Sequence, residues 1–82
     1  MAMNNDEIVR LLTDALPGAV IDVQGDGYKY QVTVISSAFT GLNRVKRQQA
    51  IYKLLNEHIQ SGAIHAVNMQ LQTPDEAAAT GG

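Results

Sequence analysis

Among the residues able to do chemistry, His65 and the bases Arg44, Lys46 and Arg47 stand apart. His65 falls within SGAIHAVNMQL, residues 61 to 71, at the start of a run that otherwise reads as a buried strand. An imidazole there can offer a ring nitrogen to a metal, or it can pack its ring on the sheet edge and donate to a loop carbonyl. His58 lies close to the end of the preceding helix, where a cation complements the helix dipole. Two histidines without a carboxylate cluster do not make a closed metal site.

The bases belong to TGLNRVKRQQAIYKLL, where they crowd the first turns of a helix. The helix dipole disfavours each cation there by about 0.3 to 1 kcal/mol. An anion would gain from both the side chains and the free backbone N–H groups, so phosphate, nucleic acid or an acidic protein surface are candidate ligands. The plain alternative is a solvated basic helix face. No Ser/His/Asp order with supporting spacing and no carboxylate pair at a predicted cleft is present, so the chain is not expected to be an enzyme.

The remaining composition bounds these options. Eighty-two residues suffice for one domain with one modest core. The absence of cysteine removes disulfides, thiolate nucleophiles and thiolate ligands, so any iron-sulfur chemistry must take its sulfur from a partner. The net charge of -2 hides a polarity: between Gly27 and Asn56 the chain carries +5 with no acid, and the rest carries -7. One face can therefore meet an anionic partner despite the acidic balance. Apolar runs are short and MAMNNDEIVR lacks a basic-then-apolar signal pattern, so a soluble cytoplasmic protein is the expectation.

Hydrophobic periodicity supplies the elements that must position these residues. Ile8, Leu11, Leu12, Ala15 and Leu16 mark one helical face, with Asn4 and Glu7 spaced as a capping box and Pro17-Gly18 as the stop. AVIDVQ and YQVTVIS alternate as strands, joined through Gly25-Asp26-Gly27. SSAFTGLN reads as a connector, followed by a long helix from about Asn43 to Gln60 with Ile51, Leu54, Leu55 and Ile59 on one face. The last strand is predicted from about Ile64 to Gln72, with His65 sharing the parity of the inward Val67, Met69 and Leu71. Thr73-Pro74-Asp75-Glu76 opens a short helix. The order is helix, strand, strand, helix, strand, helix, an α+β layer with helices packed on a three-stranded sheet.

The run FTGLNRVKRQQAIYKLLNEHI followed by GAIHAVNMQLQTPDE resembles the BolA family, most closely its subgroup with VKKQQ-like helix starts. The likeness spans Leu16-Pro17, Phe39 and Gly41, Val45 to Tyr52, Ile64-His65-Ala66, and Thr73-Pro74 with Glu76. It implies a type II KH-like fold with a mixed sheet and a single domain over residues 1–76, while the Ala-Thr-Gly-Gly composition of residues 77–82 is expected to form a flexible tail. It also implies a monothiol glutaredoxin partner and a shared [2Fe-2S] cluster, with thiolates from glutaredoxin and glutathione and the imidazole of His65. The isolated chain is expected to hold no cluster and to be a monomer or weak homodimer.

Two positions depart from the pattern. Many members place a second ligand, cysteine or histidine, in the loop between the first two strands, where this chain has Tyr28 and Lys29. Gln48 stands where many have a histidine within an Arg-His-Arg run. A different second ligand, weaker cluster sharing or a cluster-free complex with glutaredoxin stays open. The family is also associated with transcriptional regulation, so a DNA-binding regulator using Arg44, Lys46 and Arg47 is the alternative function. The GXXG loop by which typical KH domains clamp a backbone is missing.

Overall fold

The computed structural model describes residues 4–27 and 29–79. The first helix, α1 (Asn5–Ala15), begins at a complete capping box: Asn4 Oδ1 accepts the Glu7 amide at 2.8 Å and Glu7 Oε1 accepts the Asn4 amide at 3.2 Å. Its acids Asp6 and Glu7 sit at the positive end of the helix dipole. Ile8 and Leu12, one turn apart, are fully buried.

Three strands follow in the predicted order: β1 (Val20–Gly25), β2 (Lys29–Ile35) and, after the long helix α2 (Arg44–Gln60), β3 (Ala66–Gln72). The sheet order is β1-β2-β3. β1 runs antiparallel to β2, and β3 runs parallel to it, so the sheet is mixed as expected. A parallel neighbour requires a long crossover, which α2 supplies. Tyr30, Val32 and Val34 of the central strand are buried between exposed Lys29 and Gln31 and half-buried Thr33, the alternation of a sheet covered on one face. Ile8 and Leu12 from α1 and Ile51 and Leu55 from α2 close that face, each burial stabilising by roughly 1.5 to 3 kcal/mol. The opposite face is polar, with Asp22, Gln24, Gln31, Asn68 and Gln70 exposed.

The structure differs from expectation in three places. The predicted connector contains a 3-10 turn, Ser37–Phe39, capped by Ser36 Oγ on the Ala38 amide at 3.1 Å, and it drives Phe39 into the core. β3 begins at Ala66, not Ile64. The final helix, α3 (Pro74–Ala79), takes in residues 77–79 of the expected tail, and residues 80–82 lie outside the described residues. Among the described residues no helix is long and apolar enough to cross a membrane.

Candidate metal-sharing end of the sheet and basic helix start

His65 is exposed, and the reason lies in the turn before it. α2 stops at Ser61, whose amide donates to Glu57 O at 3.0 Å, and Gly62 adopts φ 84, a left-handed conformation natural for glycine after a helix. The Ile64 amide then reaches back to His58 O at 3.1 Å while its side chain, 2% exposed, enters the core. Ile64 and half-buried Val67 take the inner positions, so the two residues between them both face solvent. His65 precedes the strand and does not share the partial burial of Val67, Met69 and Leu71. Its place at the rim agrees with the sequence reading.

The β1–β2 turn lies at the same end. In the parallel register Lys29 pairs with Ala66 and Tyr30 with Val67, so the start of β2 adjoins the residue that follows His65. Asp26 Oδ1 accepts the Lys29 amide at 2.9 Å and the Asp26 amide donates to Lys29 O at 3.3 Å, fixing a tight loop. Gly25 is required there, because a Cβ would stand 2.5 Å from Tyr30 Cδ1 and 2.8 Å from Lys29 O. Lys29 is exposed; Tyr28, the other residue of the predicted second-ligand pair, lies outside the described residues. An ammonium has no lone pair for iron. His58 is directed elsewhere: it lines a groove along α1 with Asn4, Glu7, Arg10 and Asp14.

Among the described residues no three His, Cys, Asp or Glu side chains gather to hold a metal ion. With no cysteine in the chain, the donor set at this end fits one contributed imidazole within a group whose other ligands come from elsewhere. His65 would hold such a group.

The basic helix start divides. Asn43 caps α2 by accepting the Lys46 amide at 2.9 Å, and Arg44 and Lys46 are exposed. Arg47, the third base expected to bind an anion, is already engaged within the fold. Its side chain is only 13% exposed and forks onto Glu76, Nη1 to Oε1 at 2.6 Å and Nη2 to Oε2 at 3.1 Å. Nε donates to Leu42 O at 2.9 Å, Nη1 also donates to Leu71 O at 3.1 Å, and the guanidinium lies 5.9 Å from the Phe39 ring centre. Glu76 Oε1 further accepts the Thr73 amide at 3.0 Å while Thr73 Oγ1 accepts the Glu76 amide at 3.2 Å.

The bonds from Arg47, then the Thr73 amide, hold the Glu76 carboxyl at about 2, well below its ordinary 4.5. The same carboxylate raises Arg47. Sequence reasoning missed this clamp, although Thr73-x-x-Glu76 has the spacing of a capping box. Beside it, Arg44, Gln48, Leu42 and Met69 line a groove of about 720 Å³ between α2 and β3.

A three-stranded mixed sheet with helices on one face defines an α+β domain, with an exposed histidine at its rim just before β3. Residues 10–76 match the family described as BolA-like protein, and the chain belongs to that family. It is 42% identical over 74 residues to the acid stress protein IbaG of Escherichia coli strain K12, covering 90% of this chain and 88% of that one. The structure of a bolA protein homologue from Coxiella burnetii superposes with a TM-score of 0.81 at 27% identity, covering 93% of this chain and 97% of that chain. Yeast Fra2 superposes with a TM-score of 0.76 at 25% identity, over 95% and 87% of the two chains.

Proposed function

We propose that this chain is a non-catalytic partner of a monothiol glutaredoxin in iron-sulfur cluster trafficking or iron homeostasis, contributing His65 to a shared [2Fe-2S] cluster. The observation that carries the reading is an exposed imidazole at the open end of the β2–β3 pair in a chain without cysteine. Ile64, anchored in the core, holds the residue after it at the surface, where a second protein can approach. A neutral ring nitrogen there needs no deprotonation of a thiol to bind iron. When bound, the cluster supplies the iron and sulfide that are passed on or sensed. The thiolates come from glutaredoxin and glutathione, which is the division of ligands that the family resemblance implies. The 42% identity to a relative named an acid stress protein supports including stress response in this reading.

The test is a titration of the chain into a holo monothiol glutaredoxin, followed by visible circular dichroism. The spectrum is expected to change with the wild-type chain, and His65→Ala is expected to remove most of that change. A full change with the variant would take His65 out of the site.

The second reading, a DNA-binding regulator, draws on the exposure of Arg44 and Lys46 beside the groove. It has lost Arg47 to Glu76.

A further inference from the structure

Lys29 and His65 sit at one end of two adjacent parallel strands. The register sets Lys29 opposite Ala66, one residue from His65 along the chain. Asp26 fixes the Lys29 backbone through its carboxylate, and Gly25 lets the Tyr30 ring close over the turn, so the base of the lysine is held in place while its side chain is exposed. Among the described residues the ion pair is that of Arg47 with Glu76, and the Lys29 ammonium has no carboxylate within salt-bridge distance. A fixed backbone with an uncommitted cation on it offers positive charge to whatever binds at this end.

We propose that Lys29 is a positioning residue that compensates the negative charge of the thiolate-ligated cluster held by His65; the inference rests on the shared-cluster reading. Each thiolate adds negative charge to a cluster, an imidazole adds none, and reduction adds one electron more. A cation at this end of the sheet therefore favours docking of the loaded partner and, more strongly, the reduced state. Lys29 works through this field and not through a bond to iron. Because the group is exposed, the effect is modest, about two- to fivefold in affinity.

The experiment compares wild type, Lys29→Gln, Lys29→Arg and His65→Ala against holo and apo monothiol glutaredoxin at low and moderate salt, reading visible circular dichroism, dissociation constant and reduction potential. Lys29→Gln is expected to keep the His65-dependent spectrum, to weaken the holo complex about two- to fivefold with a smaller salt dependence, and to move the potential to a more negative value. Lys29→Arg restores all three, since it keeps the charge. If Lys29→Gln matches wild type in affinity, salt dependence and potential while His65→Ala abolishes the spectral change, the role of Lys29 is overturned and the reading of His65 stands. Equal weakening toward apo and holo partner also overturns it, by assigning the recognised charge to the glutaredoxin itself. A wild-type chain that leaves the spectrum unaltered removes the shared cluster and this inference with it.

Discussion

Arg47 and Glu76, 29 residues apart in the chain, meet fork to fork at 2.6 and 3.1 Å and bind the start of α2 to α3. The planar guanidinium matches a carboxylate in a way that an ammonium cannot, so Arg47→Lys is expected to recover little of the stability lost in Arg47→Ala. Thermal unfolding of the two variants, both below wild type, checks this. Arg47→Ala also removes the donor to the Leu71 carbonyl on the outer edge of β3.

The same pair sets an acid dependence. The folded-state value of Glu76, about 2, lies below its ordinary 4.5, so its contribution is fully present above 4.5 and is lost as pH falls toward 2. Melting temperature in wild type should therefore fall across that window more steeply than in Glu76→Gln. The two curves should converge near its lower limit, with wild type the more stable near neutrality. Parallel curves throughout would show that the carboxylate charge is not what the clamp uses.

Gly25→Ala tests the turn beside His65. The added methyl meets the Tyr30 ring and the Lys29 carbonyl, and the second of these is backbone that moves only if the turn moves. A loss of roughly 1 to 3 kcal/mol in chemical denaturation is expected. Displacement of the Lys29 amide from Asp26 should appear as a chemical-shift change confined to the ends of β1 and β2.

The element order was legible because the apolar periods are clean: Ile8 and Leu12 repeat at one turn, and Tyr30, Val32 and Val34 alternate. The site was legible only in part. His65 was found as a residue type, but the strand was started at Ile64, whose amide bonds back to His58 O and still belongs to the turn that begins at left-handed Gly62. Phe39 was hidden in a segment rich in turn residues, and its burial depends on a 3-10 turn that periodicity does not reveal. Arg47 differed in no visible way from Arg44 and Lys46. What separates it is α3 returning past the start of α2, a tertiary fact that three neighbouring bases do not encode.

That separation has a measurable consequence for the DNA reading. Arg44→Ala and Lys46→Ala should each leave the fold intact and, if each base contacts a phosphate, lower the salt slope of DNA binding by about one unit. Arg47→Ala should instead lower the melting temperature. A slope reduced by Arg47→Ala without any thermal effect would contradict the clamp, and absence of DNA affinity at moderate salt would end the regulatory reading.

Ile64 supplies the last prediction, because it couples the core to the site without touching a ligand. Its side chain is almost fully buried while its amide holds the turn to His58 O, so truncation both opens a cavity and loosens the residue that follows. Ile64→Ala is expected to cost about 2 to 5 kcal/mol and Ile64→Val about 0.5 to 1.5 kcal/mol. Denaturant titration measures those losses. At a temperature where both variants stay folded, the spectral change on adding holo glutaredoxin should weaken in the same order, since His65 then samples more directions before iron arrives. Retention of the full change by folded Ile64→Ala would mean that the turn does not position the imidazole.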